Sequence, residues 1–151
     1  MNVVLAADVF GVELKEVLAA DLRSRGWDVV DLSPEPVEDG VEAAVLVARA
    51  VQASDESLGI VCDAYGVESY LAATKMKGMV AAALSDERTA HMTREHNDAR
   101  VICLGAQIVG SELARNIVFG FLTGTYSGGR HQARVDMLKM MGSIEAGEVG
   151  R

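Results

Sequence analysis

Leu58-Gly59-Ile60-Val61-Cys62, followed at once by Asp63-Ala64-Tyr65-Gly66, is the stretch whose reading decides the fold. The apolar run shows no polar alternation, so a strand built from it is suited to burial on both faces, and the glycine-ended turn stops it. Runs of the same kind occupy 2–7, 28–32, 79–84 and 100–104, each short and bounded by Asp, Gly or Ser. Between them apolar residues recur at helical spacing. Leu14, Val17, Leu18 and Leu22 mark one face over 11–25, and Leu113, Ile117, Val118 and Phe121 one face over 110–122. Further helices are expected at 39–53, 67–76 and 86–95, with another near 130–142, and Gly26, Gly78 and Gly105 fall where turns are needed. Strand and helix in alternation predict an α/β fold: a three-layer α/β/α sandwich with a five-stranded parallel Rossmann-like sheet, right-handed crossovers and a C-terminal helix.

A chain of 151 residues, half of them hydrophobic and 24% charged, reads as one globular domain over 1–141. Residues 142–151 are small and polar and are expected to be a flexible tail. The net charge of -8 argues against nucleic acid or an anionic membrane as the main partner. Cys62 and Cys103 lie inside apolar runs with no disulfide framework, and no apolar run reaches the ~18 residues of a membrane span. The chain opens directly on a strand-like run, without a basic stretch and cleavage site, so a cytoplasmic location is expected.

In such folds ligands bind beyond the carboxyl ends of the strands. Asp8, Asp63-Ala64-Tyr65-Gly66 and Ser85-Asp86 fall there, and a phosphoacceptor domain would also carry carboxylates at such ends. Two strings do not belong to that design: Thr93-Arg94-Glu95-His96-Asn97 and Gly128-Gly129-Arg130-His131-Gln132-Ala133-Arg134. If the second opens a helix, Arg130 and Arg134 stand at i and i+4 on one face, and two planar guanidinium forks make a clamp for a phosphate dianion. An imidazole beside a carboxamide can move a proton and hold a developing oxyanion. Each feature also has a plainer reading: His96 as a helix-end cap, the arginines as a solvated face, Asp8 as a turn carboxylate. No His/Cys/Asp/Glu spacing suggests a metal, and proton transfer of this kind needs no cofactor.

The chain resembles the family of ribose-5-phosphate isomerase B and galactose-6-phosphate isomerase from Val3 to about Met141. The resemblance rests on Arg94-Glu95-His96-Asn97-Asp98-Ala99, on Leu104-Gly105-Ala106, and on Gly129 to Asp136 with its Arg-His-Gln-x-Arg core. Asp63-Ala64-Tyr65-Gly66-Val67, the stretch from Ala73 to Ala82 and Ser85-Asp86-Glu87-Arg88 resemble its LacA branch in particular. The resemblance implies aldose–ketose isomerisation through a cis-enediol, D-galactose 6-phosphate to D-tagatose 6-phosphate, in sites shared between subunits of a homo- or hetero-oligomer. Catalytically complete members carry a Cys base at the end of the third strand, then a small-residue anion loop with a Thr, and a His after the first-strand Asp. Here Asp63 stands for the Cys, Tyr65 for the Thr, Val9 for the His, and Glu68 interrupts the loop.

By the same resemblance His96 would assist ring opening, Asn97 would hold the enediolate oxygen, and Arg130 and Arg134 would bind phosphate in a site completed by a LacB-type partner subunit. Arg94 and His131 are weaker candidates for that cluster. Asp63 is a candidate replacement base, and Asp8, Tyr65 and Gly66 would line the substrate cleft. Two alternatives stand beside this reading: a homo-oligomeric isomerase of a pentose, tetrose or other hexose phosphate, and a non-catalytic sugar-phosphate-binding subunit.

Overall fold

The computed structural model describes residues 2–142, so the tail expected at 142–151 lies, apart from Gly142, outside the described residues. The elements run β1 (Asn2–Ala7), α1 (Val12–Ser24), β2 (Asp28–Asp31), α2 (Gly40–Gln52), β3 (Leu58–Asp63), α3 (Val67–Ala73), β4 (Ala81–Ala83), α4 (Glu87–Asn97), β5 (Val101–Gly105), α5 (Ser111–Thr123), a 3-10 turn (Gly129–His131) and α6 (Gln132–Met141). The five strands form one parallel sheet in the order β2-β1-β3-β5-β4. Among the described residues no helix is long and apolar enough to cross a membrane.

Unbroken apolar strands work here because alternate residues serve different layers. Val3, Leu5, Ile60, Cys62, Ile102 and Leu104 pack with α1, α4 and α5, through Leu18, Ala90, Ile117 and Phe121 among others. Val4, Ala6, Val61, Val101 and Cys103 pack instead with Val47 and Val51 of α2 and Ala73 of α3. Burying each such Leu, Ile or Phe contributes about 1.5–3 kcal/mol.

Two elements are shorter than their apolar runs. Ladder pairing of β4 covers only Ala81–Ala83 against Val101–Cys103, because Met79 belongs to a tight turn closed on Met76. α3 stops at Ala73, where Thr74 donates from Oγ1 to Leu71 O at 2.9 Å and Met76 N closes a tight turn on Ala73 O. The sheet order places the topological switch between β1 and β3, since β2 lies to one side of this pair and β5 and β4 to the other. A crevice outside the carboxyl ends of those two strands follows from the topology.

Candidate active site

At that switch point a cavity of about 540 Å³ opens, lined by Asp8 from the β1 turn, Glu38 and Asp39 before α2, and Asp63, Tyr65 and Glu68 around the β3–α3 turn. Phe10, Val67 and Leu71 supply its apolar rim. Three of the sequence candidates, Asp8, Asp63 and Tyr65, line it, and Gly66 forms its backbone corner. Gly66 has φ 75°, and a Cβ there would stand 3.0 Å from Gly105 N; a Cβ on Gly105 would stand 2.5 Å from the Tyr65 carbonyl carbon. The Leu104-Gly105-Ala106 string therefore lets the β3–α3 turn lie directly on the end of β5.

The carboxylates of this cleft are largely committed to the backbone. Asp8 Oδ1 accepts from Phe10 N and Gly11 N, both at 2.9 Å. Burial, opposed by those two amides and reinforced by Asp63 and Asp39, raises the pKa of Asp8. Asp63 Oδ1 accepts from Tyr65 N at 3.0 Å and from Gly66 N, and its Oδ2 accepts from Ser69 N at 3.0 Å. Glu68 Oε2 accepts from Gly40 N at 3.1 Å, at the start of α2. The amide donors of the turn thus already hold an anion, the chain's own Asp63 side chain. Cys62 is fully buried on the other face of β3, and burial pushes its thiol far up; Cys103, buried likewise, is pushed up to about 12. Neither thiol is a base near neutrality.

The second group of candidates is built at the other end of the sheet. Parallel strands share one direction, so α4, which starts at the Asp86 cap after β4, must return before β5 begins, and its last turn lies at the amino edge. His96 is on that turn. Its ring stacks on that of His131 with centroids 4.4 Å apart and planes 10° from parallel. His131 is flanked by both arginines: Arg134 Nη2 lies 2.8 Å from Nδ1 and Arg130 Nε lies 3.5 Å from Nε2. The string 128–134 does not open directly as an α-helix. Gly128 and Gly129, with φ 60° and 55°, reverse the chain, a 3-10 turn covers Gly129–His131, and α6 starts at Gln132. Arg130 and Arg134 are both exposed, with His131 beneath them.

Asn97, one residue after His96, is turned about 100° around the helix. It lines a separate cavity of about 350 Å³ with Tyr70, Thr93, Leu138 and Met141. Arg94 is not part of the cluster: its guanidinium pairs with Asp98, which also accepts from Lys139 Nζ at 2.9 Å. Asp86, expected at a strand end, caps α4 by accepting from Thr89 N at 2.7 Å. His131, a weaker candidate in the sequence, lies at the centre of the cluster between His96 and the two arginines. Sequence reasoning missed Glu38 and Asp39, which reach the cleft only because Val37 bridges to Asp8.

Over residues 3–138 the sequence matches the model of the Ribose/Galactose Isomerase family. It is 55% identical over 141 residues, covering 93% of this chain and 99% of the other, to the galactose-6-phosphate isomerase subunit LacA of Streptococcus equi subsp. equi (strain 4047). It is 53% identical, with the same coverage, to the galactose-6-phosphate isomerase subunit LacA 2 of Streptococcus pyogenes serotype M1. Among solved structures, ribose-5-phosphate isomerase B of Clostridium thermocellum matches with a TM-score of 0.87 at 35% identity, over 92% of this chain and 95% of that one. The enzyme of Mycoplasma genitalium with bound ribulose-5-phosphate matches with a TM-score of 0.86 at 37% identity, over 91% and 93%. The chain belongs to the ribose/galactose isomerase family.

Proposed function

We propose that this chain is the LacA-type subunit of a galactose-6-phosphate isomerase, acting in a hetero-oligomer with a LacB-type chain. One observation carries the reading: the acidic cleft and the Arg–His cluster lie at opposite ends of a single sheet, and neither is a complete site. The cleft offers carboxylates and an anion loop that Asp63 already fills, so a phosphorylated sugar and its enediolate would be repelled there. The cluster offers cations for the phosphate and imidazole for the ring-opening proton, and its one carboxylate, Glu95, is paired with His91. The identity to LacA subunits, well above that to the ribose-5-phosphate isomerases, favours the hexose phosphate over a pentose phosphate.

In the shared site Arg130 and Arg134 take the phosphate of D-galactose 6-phosphate. His96 relays the anomeric hydroxyl proton to the ring oxygen, opening the ring. A base on the partner removes the proton at C2, giving the enediolate, whose oxygen Asn97 stabilises. The O2 hydroxyl proton passes to O1, the same base returns the carbon proton to C1 as C2 becomes the carbonyl, and D-tagatose 6-phosphate leaves. For Asn97 to serve, its side chain must turn from the cavity it lines here, a small rotamer change at an interface.

The test is isomerisation of galactose 6-phosphate by the purified chain, alone and mixed with a LacB-type chain. Turnover only in the mixture is expected. Turnover by the chain alone would overturn the reading and make Asp63 and Glu68 the next residues to replace.

A further inference from the structure

We propose that His131 is a positioning residue: as a neutral imidazole it holds the Arg134 guanidinium through Nδ1 and the His96 ring through its face, locking the phosphate clamp and the proton-handling ring into one unit. This rests on the reading of the site given above. His131 is only 8% exposed although both flanking arginines are exposed, so it is the buried floor of the cluster.

The tautomer follows from the contacts. A guanidinium has no acceptor, so the atom 2.8 Å from Arg134 Nη2 must present a lone pair, and Nδ1 is unprotonated. The ring proton of the neutral form then sits on Nε2. Arg130 Nε also points at the ring, 3.5 Å from Nε2, but a neutral imidazole has one ring lone pair, so only the shorter contact, from Arg134, is a hydrogen bond. Arg134 is therefore fixed in place before an anion arrives, whereas Arg130 stays free to turn toward it. Protonating His131 would set a third cation with an N–H on Nδ1 against Arg134 and release it.

The groups facing the ring are His96 and Glu95 on α4 and, on its own segment, Arg130 and Arg134. Burial, then His96 and the two arginines, push the His131 pKa below its ordinary value, with Glu95 opposing, so the neutral form prevails at neutral pH. The stack on His96 excludes a charge on both rings at once, because two imidazolium rings face to face would repel.

Nitrogen-15 NMR of the full chain, which has three histidines, tests the state of the ring without any assay of activity. The expected result is an Nε2–H tautomer for His131 with a titration midpoint below ~6.5. An Nδ1–H tautomer, or a midpoint at or above that value, overturns the proposal. In the mixed complex His131→Phe keeps a stacking ring but deletes the acceptor. Its KM should rise about tenfold, the worth of one charge-assisted hydrogen bond, with kcat within about threefold of wild type. On acidification the KM of wild type should rise more steeply than that of His131→Phe, which has no ring nitrogen to protonate. His131→Asn restores an acceptor near Nδ1 without the stack, and should recover KM while lowering kcat. Unchanged KM in His131→Phe, or equal loss in both variants, overturns the positioning role. If no partner gives turnover, the function reading fails on its own; inorganic phosphate binding to the chain, weakened in His131→Phe and recovered in His131→Asn, still decides for this inference, and equal binding decides against it.

Discussion

Asp63 shows how a carboxylate at a strand end can be tied into the turn that follows it. It stands at the last position of β3 and accepts from three backbone amides of the following turn and helix. A carboxylate so held is an acceptor in a local network rather than a base waiting for a substrate. Its type and position were legible in the sequence. That its oxygens turn inward to Tyr65, Gly66 and Ser69 was not, because only the folded turn aims those amides. Asp63→Asn puts an NH2 group against one of the donors. Denaturant unfolding should show a loss of about 1–3 kcal/mol, the cost of an unsatisfied buried donor. Turnover in the mixed complex should stay within about threefold of wild type, and a loss of several orders of magnitude there would restore Asp63 to the chemistry.

Among the elements, the joint between α4 and α6 carries the cluster. Asp98 ends α4 with φ 52° and pairs with Arg94 of its own helix and with Lys139 of α6. Burial pushes the carboxyl of Asp98 up, but the bonds to Lys139 and Arg94 outweigh it and hold the pKa below the ordinary value. A carboxyl depressed in the folded state stabilises at pH above its unfolded pKa of ~3.9, and that contribution is lost as pH falls through the lower folded value. Thermal unfolding of Asp98→Asn should therefore show a deficit against wild type at neutral pH that narrows below about pH 4. A deficit independent of pH would mean that the pairs add nothing through charge. The helices themselves were readable from spacing and caps. The 3-10 entry to α6 was not, since two left-handed glycines set a reversal that an i, i+4 count does not register.

For the whole molecule, the sheet separates two sets of candidate side chains by its own length. Substitutions at the two ends of the chain's sheet should then act unequally on the mixed complex. Arg134→Ala, at the amino end, should raise KM for the sugar phosphate by about tenfold to a hundredfold. Substitutions in the acidic cleft should leave that KM nearly unchanged. Steady-state kinetics with both variants in the same partner background check the asymmetry, and unchanged kinetics for Arg134→Ala would remove it from the clamp.

By itself the sequence determined the layers and the strand directions, because apolar periodicity and glycine-marked turns are local properties of the chain. It also carried Asp63, Val9 and Tyr65 as departures from a family pattern, since those are matters of residue type at a position. Only the tertiary structure decided which candidates meet. His96, His131, Arg130 and Arg134 come together because the 3-10 turn before α6 lays His131 on the His96 ring at the end of α4, while Asp8 and Asp63 stay at the far edge because every strand runs the same way. Such meetings depend on how elements pack and on where loops return, distances that no local pattern of residues encodes.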